Sequence, residues 1–189
     1  MARSGRFSFG WTLLTLVAAQ VGLHGCLNGM RMTVPLLAVS ESRGPAVIGL
    51  LMALFAAFPF VLAIPAGRLV DRRGYHLGTR LGALLALAGA ALAASASHVW
   101  ALGGAAALVG AGSAVGRLAR GEAERLRIFS WVALAPSIAT FIGPVLAGML
   151  IDHVSYRAAF VGLALLPLGT LLATTRVPAE APRAPAKWT

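Results

Sequence analysis

The chain has 189 residues, 58% hydrophobic and 12% charged, with a mean hydropathy of +0.81 and a net charge of +10. A water-soluble domain carries roughly a quarter charged residues, so this composition excludes one. The basic excess does not mark a nucleic-acid binder either, because Arg and Lys fall in short stretches between apolar runs, which is a topology pattern rather than a binding face.

The apolar runs are roughly 17–28 residues long, each able to cross about 30 Å of hydrocarbon as a helix. An all-α membrane protein is expected, with six transmembrane spans at about 11–38, 47–69, 79–97, 99–116, 128–151 and 157–175. Loops are expected at Val39–Ala46, Val70–Gly78, near His98, at Arg117–Arg127 and at Asp152–Tyr156. Residues 1–10 are expected as a cytoplasmic N-terminus, and 176–189, rich in Pro and Ala, as a cytoplasmic tail or the start of a central linker. The start MARSGRF followed by an apolar run resembles a signal peptide, but the run continues to about Ala38 without a small-residue cleavage site, so an uncleaved first span is expected. Cys26 lies alone inside that span, so no intrachain disulfide is possible.

The first span also holds Gln20, His24, Asn28 and Arg31, spaced four, four and three apart and therefore on one helix face. Polar side chains inside a membrane are functional candidates by default. This stripe is expected to face a cavity rather than lipid and to contact substrate or ion. Arg31 lies 20 residues after Trp11, about 30 Å along a helix, so it also suits the outer interface, where it can snorkel.

Orientation follows from the basic residues. Arg3, Arg6, Arg68, Arg72, Arg73, Arg80, Arg117, Arg120, Arg125, Arg127, Arg176, Arg183 and Lys187 share one side, and Arg31, Arg43 and Arg157 the other. Positive loops stay inside, which places both termini in the cytoplasm of a multi-pass plasma-membrane protein. Trp11 and Trp131 then lie near the inner interface and Trp100 near the outer one.

The chain repeats itself. Ala66–Tyr75, AGRLVDRRGY, aligns with Ala147–Tyr156, AGMLIDHVSY, at an offset of 81 residues, and upstream Phe60 and Val61 face Phe141 and Ile142. An offset of three spans inverts the second copy, so the fold is read as two inverted three-helix repeats, 11–97 and 98–175. The charges obey this: Arg72 and Arg73 of the inner copy become His153 and Val154 in the outer one. Inverted repeats of this kind build a large class of secondary transporters.

Gly67, Leu69, Asp71, Arg72 and Gly74, with Arg73 between them, resemble the loop signature between the second and third spans of the major facilitator superfamily. Tyr75 and His76 stand where that signature often carries two basic residues. In the fifth span, Ala139, Gly143, Pro144, Ala147 and Gly148 resemble the Gly-Pro signature of the superfamily's antiporters, with Ala for Gly at two positions. The resemblance covers essentially the whole chain and corresponds to the N-terminal six-helix half of the usual twelve-helix transporter. It implies alternating-access transport of a small molecule, with export as the direction the Gly-Pro signature points to. It further implies that Asp71 and Arg72 clamp the cytoplasmic ends of helices from two halves. Independently, Asp71 ends a helix where the macrodipole disfavours an anion and so wants the adjacent arginines. Gly67 is expected to admit another helix closely, and Gly74 to suit a tight turn. Gly143-Pro144, with Pro59 and Pro65 in the second span, suggests a hinge or cavity.

The third and fourth spans are rich in Ala and Gly, with Gly112 and Gly116 spaced for close helix packing. The fourth span is short and lacks the basic residue that superfamily members often carry there; Arg117 is the nearest substitute. No Asp or Glu lies in mid-span, and no Walker sequence, metal-ligand cluster or nucleophile–base pair occurs, so neither enzyme chemistry, cofactor nor metal is expected. The expected partners are a small-molecule substrate, the lipid bilayer, and a second six-helix half or a second copy, without nucleic acid. The alternative is a truncated or non-transporting six-helix membrane scaffold.

Overall fold

A computed structural model describes the backbone of residues 4–73, 75–96, 98–124 and 129–175, and side chains within 14–70, 77–116 and 134–175 except those of residues 16 and 97. Among these residues the fold is all-helical: α1 (Ser4–Ser40), α2 (Pro45–Arg73), α3 (Tyr75–Ser95), α4 (Val99–Glu124), α5 (Phe129–His153) and α6 (Tyr156–Thr174). Helices are what apolar runs must form where no water can satisfy backbone groups. Five stretches are long and apolar enough to cross a membrane: Pro45–Val70, Leu77–Ser95, Val99–Gly116, Leu134–His153 and Tyr156–Thr174. In α1 the polar side chains of Gln20, His24, Asn28 and Arg31 lower the hydropathy of an otherwise apolar helix.

The connections are tight. Glu41–Gly44 turns α1 into α2 with Ser42 at a φ of 57°, and Arg43 pairs with Glu41 at 3.2 Å across the turn. Ser155 caps α6, its hydroxyl accepting from the Ala158 N–H at 3.1 Å.

Two connections are shorter than the sequence suggests. Helix continues through Val70–Arg73 and resumes at Tyr75, so most of the loop expected at 70–78 is helical. Likewise α4 runs on from Gly116 to Glu124, so the fourth helix spans 26 residues and is not short. Its apolar part ends at Gly116, but a helix needs no apolar residues once it has left the hydrocarbon.

Packing follows the repeat. α1 packs on α5 and α6, and α4 packs on α2 and α3; α1 also crosses α4, and α3 meets α6. Exchanging α1 with α4, α2 with α5 and α3 with α6 returns the same set of pairs. Burial repeats at the same 81-residue offset. On α3, Gly78, Thr79, Gly82, Ala86, Gly89 and Ala93 are buried, as are Ala159, Phe160, Leu163, Pro167, Thr170 and Thr174 on α6. On α2, Ala53, Ala57, Phe60, Val61, Ile64 and Arg68 are exposed, as are Leu134, Ile138, Phe141, Ile142, Val145 and Met149 on α5. The fold is two inverted three-helix repeats.

The core lies around α1 and α4, where Leu23, Cys26, Met30, Val34, Leu102, Ala105, Ala106 and Val109 join Leu51 and Phe55 of α2 and Phe160 and Leu163 of α6. Without a hydrophobic force between helices in lipid, close backbone approach holds such a bundle. A Cβ on Gly82 would lie 2.7 Å from the Gly112 carbonyl oxygen, and one on Gly112 2.5 Å from that of Gly82, so α3 and α4 touch backbone to backbone.

Candidate functional site

The polar stripe of α1 is graded along its length. Gln20 and His24 are buried, Asn28 is half-buried and Arg31 is exposed. All four were expected to face a cavity rather than lipid; the first two lie inside the helix packing. Gln20 sits where α1 crosses α4. Its Nε2 donates to the Gly116 carbonyl at 3.5 Å, while its buried Oε1 accepts no hydrogen bond from any described residue. Leu23 closes that crossing, since a Cβ on Gly116 would collide with its Cδ2. One turn further, the His24 Nδ1 lies 3.1 Å from the Gln20 main-chain oxygen. A carbonyl only accepts, so Nδ1 carries the hydrogen in this contact.

Asn28 lies where α1 meets α5, and here the stripe joins the Gly-Pro motif. A Cβ on Gly143 would strike the Gly25 carbonyl oxygen and lie 2.9 Å from the Gly29 nitrogen, so the two backbones are in contact. At this crossing Asn28 Nδ2 donates to Thr140 Oγ1 at 3.4 Å, and that hydroxyl donates to the Pro136 carbonyl at 2.8 Å. Pro144 has no N–H, so the Thr140 carbonyl four residues earlier receives no helical hydrogen bond from it. The motif therefore places a glycine for contact and a proline that loosens the helix beside the half-buried amide of Asn28. The helix itself stays continuous through Pro136 and Pro144, and α2 through Pro59 and Pro65.

Gly148 has ordinary room, its added Cβ meeting only the Met32 Cε at 3.7 Å. Around the loop signature, Leu69 is half-buried and Arg68 exposed. A Cβ on Gly67 would meet nothing among the described residues within 4 Å, so none of them makes the close approach expected there. Asp71, Arg72 and Arg73 end α2, but their side chains, and Gly74 altogether, lie outside the described residues, as do the side chains of Trp11, Arg117 and Trp131. At the opposite end, Asp152 is exposed and His153 Nδ1 donates to the Met149 carbonyl at 3.0 Å.

Thr140 and Thr170 escaped the sequence reading. Thr140 had one signal, the proline four residues on. Thr170 had none: its hydroxyl donates to the Ala19 carbonyl of α1 at 2.9 Å, facing Gly22. Among the described residues, no three His, Cys, Asp or Glu side chains gather as metal ligands would.

The model of the Major Facilitator Superfamily matches residues 8–189. The chain belongs to the major facilitator superfamily. No curated protein matches it in sequence. Members of the superfamily are membrane transporters rather than enzymes. The six helices of this member, in two inverted repeats, form one MFS-like half, and its graded stripe and Gly-Pro crossing are the features to be explained.

Proposed function

We propose that this MFS protein moves a small molecule out of the cytoplasm by alternating access, across the plasma membrane and with both termini inside. The observation that carries the reading is the crossing of α1 and α5. There Gly143 lies against Gly25 and Gly29, while Asn28 reaches Thr140 beside a carbonyl that Pro144 leaves without its helical donor. A polar contact at a glycine-lined, proline-softened crossing gives a solute something to bind and gives the helices a place to move. Asn28 and Arg31, the exposed end of the stripe, contact the solute. Asp71 and Arg72 act as one jaw of the cytoplasmic gate, with Gly67 open toward the other jaw. The matched exposed faces of α2 and α5, from Phe60 to Ile64 and from Phe141 to Val145, meet a second six-helix unit, either another half or a second copy.

Efflux of ethidium and a panel of amphiphilic antibiotics from cells expressing the chain tests this. Asn28→Ala and Arg31→Ala are expected to lower efflux of at least one compound without lowering the amount of protein in the membrane. Cysteines at positions 60 and 141 are expected to cross-link to a second unit. No saturable flux and no cross-link would instead establish a non-transporting scaffold.

A further inference from the structure

We propose that the solute is an amphiphilic organic anion, its acidic group held by the guanidinium of Arg31 with hydrogen bonds from Asn28 and Ser137. This names the substrate class of the site between α1 and α5 and, for transport, rests on the reading above; as an anion-binding site it stands without it.

Arg31 lies within the span rather than at its edge. Met32, the next residue, has its Cε 3.7 Å from where a Cβ on Gly148 would stand, five residues before α5 ends at His153. Leu36, five residues after Arg31, receives the Tyr156 hydroxyl at 3.4 Å, where α6 begins. Five residues of helix are about 8 Å, so the Arg31 backbone sits about that far below the outer helix ends. A cation at this depth either stretches outward to water or faces a solvated path between helices. No described carboxylate neutralises it. Among the described residues the ion pair is that of Arg43 with Glu41, in the turn beyond α1. α2 from Pro45 to Gly67 and α4 from Val99 to Gly116 carry no ionisable residue. α5 and α6 carry theirs, Asp152, His153, Tyr156 and Arg157, only where the two helices join, and Asp152 makes no ion pair with Arg31. On α1 itself His24 lies seven residues inward, and the described part of α3 brings Arg80 near its inner end.

The groups beside Arg31 are donors. Asn28, three residues earlier, shares its side of α1 and points its amide at Thr140 of α5. Ser137, three residues before Thr140, is exposed on that side of α5, and its hydroxyl bonds no described residue, whereas the Thr140 hydroxyl is spent on the Pro136 carbonyl. A guanidinium presents paired N–H groups that match two oxygens of a carboxylate or sulfonate, and the pair so formed is neutral. Phe141, 70% exposed next to Thr140, offers the apolar body of the solute a surface. The fold does not require these polar groups. At the 81-residue offset Asn28 and Arg31 correspond to Val109 and Gly112, both buried, with Gly112 against α3. The second repeat builds its central helix without a charge there, so the charge serves something other than the architecture.

Fluorescein and tetramethylrhodamine methyl ester share a xanthene body and carry opposite charge, so together they separate charge from shape. Fluorescence anisotropy of each dye with the full chain in phosphatidylcholine nanodiscs, against empty nanodiscs, reads binding without transport. Fluorescein is expected to bind at least about tenfold more tightly than the cationic dye. Arg31→Gln is expected to weaken fluorescein binding about tenfold, the loss of one charge-assisted contact, without weakening the cationic dye. Arg31→Lys is expected to keep part of the affinity, Arg31→Glu to reverse the order of the two dyes, and Ser137→Ala to weaken fluorescein a few-fold. Equal binding of both dyes, no binding of fluorescein, or the same fluorescein affinity in Arg31→Gln as in the parent makes Arg31 a snorkelling residue and overturns the proposal. In cells, the anions of the panel are expected to be exported and ethidium, a cation, to be retained. Export of cations alone overturns the anion class and keeps the transport reading. Arg31-dependent binding of fluorescein with no efflux of any compound sinks the transport reading and leaves the anion site in place.

Discussion

Three glycines of the family motifs stand in three different environments, and a methyl group added to each separates them. In Gly143→Ala the new Cβ meets backbone of α1: the Gly25 oxygen, the Gly25 carbon at 3.0 Å and the Gly29 nitrogen at 2.9 Å. Backbone of a packed helix has no rotamer to change, so α1 and α5 must separate by several tenths of an ångström. Overpacking of this kind costs about 1–3 kcal/mol. Separation also stretches the bond from Asn28 to Thr140, already 3.4 Å long. For a chain of this length about 2 kcal/mol corresponds to a fall of roughly 4–8 °C in melting temperature. Gly148→Ala meets one flexible methionine methyl at 3.7 Å and is expected to be neutral. Gly67→Ala meets nothing within 4 Å and gains helix propensity of up to about 1 kcal/mol, so it is expected to be neutral or stabilising. The assay is thermal unfolding in one detergent, followed by size-exclusion chromatography of the heated protein. If Gly143→Ala melts with Gly67→Ala, the backbone contact between α1 and α5 is not what holds these helices, and the site built on it falls.

Three further outcomes are expected from the same measurements. Gly112→Ala places a Cβ 2.5 Å from the Gly82 carbonyl oxygen and 3.0 Å from the Ala86 nitrogen, and should lower the melting temperature as much as Gly143→Ala does. Thr170→Val removes the hydrogen bond to the Ala19 carbonyl at a nearly constant volume, and should cost about 0.6–1.5 kcal/mol, read as a shift of a few degrees. Pro144→Ala restores an N–H for the Thr140 carbonyl; it should raise the melting temperature while lowering efflux, and a variant that transports at the parental rate would remove the proline from the mechanism.

Much of the architecture was legible because the bilayer imposes it. Each apolar run became a helix, since lipid offers a backbone no other solution. The helix ends were less legible for the same reason: the membrane dictates where apolar residues stop, not where helix stops. Thus α4 continues through Arg117 and Arg120 to Glu124, and α2 through Asp71 to Arg73. The stripe of Gln20, His24, Asn28 and Arg31 was legible as one face, because helical spacing determines that. Its gradation was not, because burial depends on which neighbour covers each turn, and α4 covers Gln20 where nothing covers Arg31. Gly112 and Gly116 declared a close contact by their spacing, and Gly82, which meets Gly112, has the same spacing from Gly78 on α3.

The repeat itself was plain in α2 and α5 and weaker in α3 and α6, although the latter pair repeats its burial more faithfully. The contacts explain this. On α3 the buried positions Gly82 and Gly89 are hollows, filled by the backbone of Gly112 and by Val109 with the Ala105 carbonyl, both on α4. Their equivalents on α6, Leu163 and Thr170, are projections, received by Gly29 and Gly22 of α1. The hollow lies on the outer helix in one repeat and on the central helix in the other. At these two matched positions a small residue is exchanged for a large one while the buried face is kept. A comparison of letters finds little more than Ala83-Leu84-Leu85 and Leu87 repeated as Ala164-Leu165-Leu166 and Leu168, whereas a comparison of exposure finds agreement at most positions. What the two halves of this fold share is therefore a pattern of approach. That pattern leaves the central helices free to differ, and α1 alone carries the polar stripe on which transport is proposed to depend.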